Sequence, residues 1–202
     1  MIVIVDYGLG NLRSVLNKFK KINVPAKISE SLTDIEEASK LILPGVGHFA
    51  KGISKLKESG IDTALAKKVL TDKTPILGIC LGMQLFLDHS EEGDVEGLKW
   101  IKGEVKKFNH KDSKFKVPHM GWNSVVKQKD NVLLNGHTND SLFYFVHSYY
   151  VSCADQSEIL GTTSYEFEFT SSIQKGNIYG TQFHPEKSHE DGLELIRNFA
   201  KI

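Results

Sequence analysis

The sequence predicts an α/β fold in which a mostly parallel central sheet is flanked by helices and continued by an antiparallel β extension. Strand-like and helix-like segments alternate through the first half of the 202-residue chain, an order typical of a parallel sheet with helices on both faces. The second half holds short β-rich runs separated by Gly, Asn and Asp turns, which predict the extension. No repeat, low-complexity segment or linker interrupts the chain, so we expect one domain over residues 1–202.

Two kinds of apolar pattern predict the elements of the first half: continuous apolar runs for strands and apolar residues at helical spacing for helices. Ile2–Val5 is a β-branched run, as expected for a strand buried on both faces, and residues 12–22 carry apolar side chains at helical spacing. The other elements of this half are strands at 26–29, at 41–43 up to Pro44-Gly45 and at 75–79, with helices near 53–56, 61–70 and 81–87. The second half has predicted strands at 100–108, 122–126, 142–151, 167–173 and 178–183, then a helix over 192–200.

Composition excludes several classes of protein. The chain has 25 basic and 25 acidic residues and a formal net charge of zero, whereas nucleic-acid and anionic-membrane binders need a basic excess. No apolar stretch approaches the roughly 20 residues of a membrane helix, and the N-terminus lacks the features of a signal peptide. The two cysteines, Cys80 and Cys153, stand in unlike contexts. We therefore expect no disulfide framework and a cytoplasmic location.

The most informative segment is a cysteine between two glycines at a strand-to-helix junction. In Gly78-Ile79-Cys80-Leu81-Gly82, the glycines permit the sharp turn of a nucleophile elbow. The positive end of the following helix favours the thiolate of Cys80, and the amide of Leu81 can donate into an oxyanion hole. The alternative interpretation is a buried structural cysteine that ends a strand, and this segment alone leaves both open.

A candidate base and its orienting group follow the last predicted strand. Proline favours extended geometry at the residue before it, and residues two apart in extended chain project to the same side. In His184-Pro185-Glu186, Glu186 can therefore hold one nitrogen of the His184 ring while the other addresses a thiol. A surface turn is the alternative for this tripeptide alone. Together with the elbow, it favours a Cys-His-Glu triad.

These segments resemble those of the class I, or triad, glutamine amidotransferases. The resemblance rests on GICLGMQ at 78–84 and QFHPE at 182–186. It is closer still to the glutaminase subunits of imidazole glycerol phosphate synthases, through DYGLGN at 6–11, LPGVG at 43–47, PHMGWN at 118–123 and YFVHSYY at 144–150. These motifs span nearly the whole chain. The resemblance implies a class I glutamine amidotransferase-like fold.

The resemblance also implies chemical roles. Cys80 would attack the side-chain amide of glutamine and form a γ-glutamyl thioester, while His184, oriented by Glu186, would activate the thiol and protonate the departing ammonia. The loop Gly45, Val46 and Gly47 would complete the oxyanion hole. Gln84, Glu92 and Ser148 would contact glutamine.

A partner is implied as well, because the chain has no evident acceptor domain. By resemblance, the partner is a (β/α)8-barrel cyclase that uses the ammonia to make imidazole glycerol phosphate and an aminoimidazole carboxamide ribotide in histidine biosynthesis. The face that docks on it would include six residues. For two of them another interpretation stays open, because Tyr144 can be an aromatic side chain packed in the sheet and Lys187 a solvated lysine. The six are Asn11, Met120, Trp122, Asn123, Tyr144 and Lys187.

One position departs from the family pattern. His48 follows the oxyanion loop where relatives often carry a small residue, and it is either an inert exposed histidine or the mark of a branch that serves another synthase, such as a sugar-amidating enzyme of surface-glycan assembly. The other rivals are a cysteine peptidase or chaperone-like protein and a non-catalytic binding subunit. No cofactor and no metal are expected. Gly8-Leu9-Gly10 lacks the third glycine of a dinucleotide motif, since Arg13 occupies that position, and no closely spaced Cys/His set suggests zinc.

Overall fold

A mixed sheet organises the structure, a computed structural model that describes residues 1–109 and 111–202. Within these residues the strands are β1 Ile2–Val5, β2 Ala26–Ser29, β3 Lys40–Gly45, β4 Ile76–Cys80, β5 His89–Ser90, β6 Val95–Glu96, β7 Gly103–Lys107, β8 His119–Ser124, β9 Val126–Lys127, β10 Leu142–His147, β11 Tyr149–Cys153, β12 Ile159–Tyr165, β13 Phe167–Lys175 and β14 Ile178–Thr181. The α-helices are α1 Leu12–Lys21, α2 Leu32–Glu36, α3 Phe49–Glu58, α4 Ile61–Ala66, α5 Leu81–Gln84 and α6 His189–Lys201.

The parallel part of the sheet has the order β2-β1-β3-β4-β14. Beyond β14 the sheet continues through antiparallel pairs with β13, β11 and β7, and β12 pairs with β13 as well. This arrangement confirms the predicted fold class. Among the described residues, strands β8 and β10 pair with each other in a separate two-stranded sheet and do not join the extension.

Several predicted boundaries are wrong, and tertiary contacts explain them. The helix predicted over 81–87 ends at Gln84 because the next three carbonyls accept hydrogen bonds from the backbone of residues 98–101 instead. The strand predicted to stop before Pro44 runs to Gly45, since β1 pairs with β3 only as far as Ile42 and no neighbour needs the missing N–H there. The run 142–151 breaks at Ser148 into two strands of different sheets, and strands β5, β6, β9 and β12 and helix α2 were not predicted.

The central parallel strands β1, β3 and β4 are buried on both faces, which explains their apolar runs. Val3 and Val5 of β1 point into one hydrophobic cluster, which contains the inner faces of α3 and α4. Ile2 and Ile4 point into the other, which contains residues of α1 and α6. Within the described residues, no helix is both long and apolar enough to cross a membrane.

Candidate active site

Cys80 occupies a strained backbone conformation between β4 and α5. It is the last residue of the strand and the cap of the helix, and its φ of 54° and ψ of −110° lie in a region that side chains rarely adopt. The thiol is only 7% exposed. Leu81 is the first helical residue, and the N–H groups of a first helical turn have no acceptor within the helix. This geometry is that of a nucleophile elbow.

Close backbone packing makes glycine necessary beside the elbow. A methyl group on Gly82 would overlap the carbonyl oxygen of Leu43 on the neighbouring strand β3. One on Gly78 would lie 2.7 Å from the backbone of Gly82 and 2.6 Å from the ring of Phe86. The glycines therefore let α5 begin directly against β3, which fixes the position of the thiol.

His184 and Glu186 form a buried pair beside this thiol. The ring donates its Nδ1–H to Oε1 of Glu186 over 2.8 Å, and the two side chains are 1% and 2% exposed. Nε2 of His184 makes no hydrogen bond of ordinary geometry within residues 1–109 and 111–202, although the ring interacts with the sulfur of Cys80. The carboxylate therefore fixes the tautomer that leaves Nε2 for the sulfur.

Strand register brings the two distant segments together. Strand β14 lies parallel to β4, with Thr181 opposite Ile79, so the carboxyl ends of both strands meet at one edge of the sheet. Just beyond that edge, the N–H of His184 donates to the carbonyl of Tyr144 over 2.9 Å, and its carbonyl accepts a hydrogen bond from the Ser188 hydroxyl over 2.6 Å. The backbone of the histidine is therefore fixed on both sides.

The electrostatics of the pair favour a protonated ring. Burial lowers the pKa of His184, but the negative sulfur of Cys80 and then the carboxylate of Glu186 outweigh it and raise the pKa to about 10. The His184 ring and the Cys80 sulfur are thus electrostatically coupled, and both residues have little exposed surface. An attacking sulfur and a proton donor are the two groups that cleavage of an amide needs.

A cavity of about 400 Å³ gathers most of the residues predicted for substrate binding. The predicted residues on its wall are Val46, Gly47, Cys80, Leu81, Gln84, Glu92, Ser148 and His184. Glu186 lies behind the His184 ring, and Gly45 lies beneath the wall, opposite Cys80 in the β3–β4 ladder. A larger concavity of about 640 Å³ around Cys153 and Thr170 contains none of the predicted residues.

The predicted oxyanion loop leaves β3 beside the elbow. Gly47 has a φ of 111°, which favours glycine, and Val46 is 39% exposed at the mouth of the cavity. Tyr7, which sequence reasoning missed, packs its ring hydroxyl against Gly45. This hydroxyl is buried without a partner among the described residues, and burial raises the pKa of Tyr7 well above its ordinary value.

Two residues predicted to contact the substrate, Glu92 and Gln84, already form hydrogen bonds to other groups of the protein. Glu92 accepts a hydrogen bond from the backbone N–H of Phe49 over 2.7 Å, at the start of α3. Gln84 donates through its amide nitrogen to the carbonyl of Tyr149 over 3.1 Å and to Oε1 of Gln182 over 2.9 Å. The amide nitrogen of Gln84 is thus committed to the protein, which leaves its oxygen for a ligand.

His48 has a structural role that the sequence did not suggest. It caps α3, with Nδ1 accepting the N–H of Ala50 over 3.2 Å. Its ring also lies against Gly93, where an added methyl would come within 3.0 Å of it. The residue is exposed, as one of the two interpretations expected, and it organises the helix that follows the oxyanion loop.

Three predicted partner-face residues meet in one exposed patch, together with a residue that was missed. We call Trp122, Tyr144, Lys187 and His189 the aromatic patch. The Trp122 ring stacks on His189 with 4.8 Å between centroids and meets Tyr144 edge-on at 5.9 Å, and Nζ of Lys187 lies 5.5 Å from the centre of the Tyr144 ring. Trp122 is 46% exposed. An exposed aromatic cluster with a cation is typical of a binding surface.

The other three predicted partner-face residues lie outside this stacked group. Met120 is 62% exposed and two residues before Trp122 on β8. Asn11 precedes α1, whose helix packs against the turn Pro185–Lys187. Asn123 points inward and donates to the carbonyl of Ser164 over 3.0 Å.

Behind Asn123, two buried histidines extend a hydrogen-bond chain toward the cavity. Nδ1 of His147 lies 2.8 Å from the Tyr149 carbonyl, so it carries a hydrogen. Nε2 of His147 then accepts from Nδ1 of His119 over 2.9 Å, and Nε2 of His119 accepts from the Asn123 amide over 3.3 Å. The Tyr149 carbonyl fixes the ring hydrogen of His147 on Nδ1, so Nε2 is an acceptor and this ring is neutral.

The neutral state of His147 predicts a loss of stability in acid. Burial lowers the pKa of His147 to about 3, so between about pH 6.5 and pH 3 only the unfolded chain binds this proton and stability falls as pH falls. We expect His147→Asn, which removes this titration, to reduce the difference in unfolding free energy between pH 7 and pH 5 by about 2 kcal/mol. Urea unfolding at both pH values measures it, and an unchanged difference would contradict the assignment.

The chain matches the family model of the class I glutamine amidotransferases over residues 3–202. Almost the whole chain is covered, and the turn at Cys80 and the His184–Glu186 pair described above lie within the match. The chain therefore belongs to the class I glutamine amidotransferase family, and it is an enzyme of that class.

Within this family the chain is similar over its full length to proteins named imidazole glycerol phosphate synthase subunit HisH. It is 53% identical to HisH 2 of Methanococcus maripaludis, covering 100% of this chain and 99% of that protein. It is 46% identical to HisH of Leptospira borgpetersenii, covering 100% of both. Such full-length similarity places the chain in the HisH group of the family.

Solved structures share the fold at low sequence identity. A crystal structure titled as a glutamine amidotransferase superposes with a TM-score of 0.75 at 17% identity, covering 100% of both chains. That of a glutamine amidotransferase from Thermotoga maritima gives a TM-score of 0.64 at 19% identity, covering 97% of this chain and 81% of that one. These likenesses concern the fold alone.

Proposed function

We propose that this chain is the glutaminase subunit of an imidazole glycerol phosphate synthase, with Cys80, His184 and Glu186 as its catalytic triad. The observation that carries the proposal is the meeting of these three side chains at one sheet edge, where Cys80 and His184 line one cavity and Glu186 holds the His184 ring from behind. The full-length similarity to HisH subunits supports the choice of enzyme.

Each residue has a chemical step in this proposal. The sulfur of Cys80 attacks the side-chain carbonyl carbon of glutamine, and the amide of Leu81 with the Gly45–Gly47 loop stabilises the oxyanion. The C–N bond then breaks as Nε2 of His184 gives its proton to the nitrogen, which leaves as ammonia, and the γ-glutamyl group stays on the Cys80 sulfur as a thioester. Water attacks the thioester, His184 takes the proton of that water, and glutamate leaves with Cys80 restored. Glu186 holds the ring throughout.

The substrate's fit depends on the remaining polar groups of the cavity. Ser148 lies at the break between β10 and β11 and lines the cavity, where its backbone and hydroxyl can bind the α-substituents of glutamine. Glu92 brings a carboxylate for the α-ammonium group, and the side-chain oxygen of Gln84 accepts a further hydrogen bond. These contacts complement a small zwitterion that carries an amide.

A second protein must receive the ammonia. Ammonia released into neutral water becomes mostly ammonium, which is not a nucleophile, so a sealed interface is needed. The aromatic patch supports docking beside the base, because Tyr144 both belongs to the patch and binds the backbone of His184. The partner we propose is a (β/α)8-barrel cyclase that forms imidazole glycerol phosphate and the aminoimidazole carboxamide ribotide, in the cytoplasm. The relatives favour this acceptor over a sugar-amidating synthase.

The proposal predicts that the partner stimulates glutamine hydrolysis. We expect low glutaminase activity for the isolated chain and an increase of about 10-fold or more when the histidine-pathway cyclase and its nucleotide substrate are added, a size typical of coupling between sites. Glutamate release measures it. Trp122→Ala, which removes the centre of the aromatic patch, should weaken the stimulation, whereas Lys201→Ala on α6 should preserve it. No response to this cyclase would refute the proposed acceptor.

A further inference from the structure

Gln182 touches the nucleophile, and neither the predicted triad nor the predicted substrate contacts include it. Its amide nitrogen lies 3.5 Å from the sulfur of Cys80, and the residue has no exposed surface. The sulfur has a second polar neighbour, the carbonyl oxygen of Val146 at 4.0 Å. A thiolate is repelled by that carbonyl and attracted by an N–H, so of these two contacts the amide is the one that stabilises the reactive form, in addition to the His184 ring.

Strand pairing explains why this glutamine meets the thiol. Thr181 of β14 lies opposite Ile79 of β4, and the residues that follow these two along the chain are Gln182 and Cys80. The backbone N–H of Gln182 donates to the carbonyl of Ser171 over 2.8 Å, which holds the residue against β13. Gln182 and His184 are two residues apart in extended chain, so both project toward the sulfur.

Neighbouring groups leave one orientation for the Gln182 amide. The Tyr149 carbonyl can only accept, so the Gln84 group facing it over 3.1 Å must be its NH₂. The second hydrogen of that NH₂ lies toward Gln182, 2.9 Å away, which must therefore present its oxygen. The NH₂ of Gln182 is then the group that faces the sulfur. Network logic of this kind decides amide orientations that atom positions alone do not.

The orienting carbonyl is itself held in place. Tyr149 lies on β11, and its carbonyl also accepts the Nδ1–H of His147 over 2.8 Å, so both of its lone pairs are used. His147 is held in turn by the buried His119. The Gln84 amide is thus bound to a fixed acceptor, and its fixed orientation in turn determines the orientation of the Gln182 amide.

We propose that Gln182 is a further catalytic residue, whose amide donates a hydrogen bond to the Cys80 sulfur and stabilises the attacking thiolate, with Gln84 as the residue that orients it. This inference rests on the proposed nucleophilic role of Cys80. A hydrogen bond to an anion is stronger than one to a neutral group. Loss of the donor therefore raises the pH at which the thiolate forms.

The test is the pH dependence of alkylation of the folded protein by iodoacetamide, a reagent that reads the thiolate fraction. Gln182→Met keeps most of the side-chain volume and removes the donor. We expect the midpoint of its alkylation profile at Cys80 to move upward by about one pH unit or more, with kcat/KM for glutamine falling about 10-fold or more. Cys153 does not interfere, because burial raises its pKa to about 12, and peptide mass analysis identifies the modified cysteine.

A matched control separates this role from packing. Gln174 lies on β13 and donates to the Tyr179 hydroxyl over 3.1 Å and to the Gly176 carbonyl over 3.2 Å, so Gln174→Met should leave the alkylation profile unchanged. Gln84→Met removes the orienting donor and should move the profile in the same direction as Gln182→Met, by less. A Gln182→Met profile that superimposes on that of the wild type overturns the inference.

Folding failure does not leave the question open. If Gln182→Met does not fold, Gln182→Leu decides, because it also removes the donor without adding a charge, and an unshifted profile in that variant overturns the inference as well. Alkylation requires neither glutamine nor a partner protein. An unshifted profile therefore rejects the role of Gln182 alone, whereas glutaminase activity that survives Cys80→Ala rejects the proposed function.

Discussion

Cys80→Ala should abolish glutamine-dependent synthesis by the complex, by at least about 10³-fold, and leave synthesis from ammonium salts intact. The sulfur is the only group in the proposed mechanism that bonds to glutamine, so no thioester forms without it. In the proposal the acceptor reaction takes place on the partner, which this substitution does not touch. Product formation with each nitrogen source, at equal concentrations of the complex, measures the two activities.

The second cysteine provides a matched control for this substitution. Cys153 lies on β11, and it is as buried as Cys80, at 7% exposure for each. Cys153→Ala should therefore cost some stability and preserve glutamine-dependent synthesis. Equal loss of both nitrogen sources in Cys80→Ala would refute the division of labour between two proteins. Retained use of glutamine would show that the chain is a non-catalytic binding subunit.

Gly82→Ala should destabilise the fold by about 3 kcal/mol or more and remove glutaminase activity. The added methyl would overlap the carbonyl oxygen of Leu43, and a backbone atom in a central strand cannot rotate away as a side chain can. Either α5 moves away from β3 or the strand shifts, and both movements displace Cys80 from His184. Urea unfolding and glutamate release measure the two effects.

Gly52→Ala is the control for this prediction. Its methyl would lie 3.1 Å from a flexible Leu85 side-chain atom, and alanine is favoured over glycine inside a helix such as α3 by about 1 kcal/mol. The two terms oppose each other, so we expect a change within about 1 kcal/mol. A Gly82→Ala variant as stable as Gly52→Ala would show that the elbow tolerates a wider turn than its packing indicates.

Local sequence was sufficient for the parts of the site that depend on short-range geometry. The glycines around Cys80 predicted a strained turn, and His184-Pro185-Glu186 predicted a ring held by a carboxylate two residues away. The structure has this turn and this pair. Their catalytic roles stay predictions until the substitutions above are made.

Features of the site and the fold that depend on strand order could not be predicted from local sequence patterns. The contact between Gln182 and Cys80 requires β14 to lie next to β4, which no local pattern encodes. Strand β12 was missed because it buries polar side chains: Thr163 donates to the Ser124 carbonyl over 2.9 Å, and Thr162 bonds to Glu168. Such residues resemble a loop until their partners are known. The single domain over residues 1–202 also stays a prediction.

The hydrogen bond between the His184 N–H and the Tyr144 carbonyl has a consequence for redesign of the partner specificity. Strand β10 presents side chains to the outside while its main chain holds the backbone of His184. If the aromatic patch docks on the partner as proposed, we expect substitution of Trp122 or Tyr144 to change recognition without moving the imidazole. Inserting or deleting one residue in β10 would instead reverse which side chains face outward. It would also place a different carbonyl opposite the backbone N–H of His184. New specificities must therefore be sought by point substitution at constant strand length.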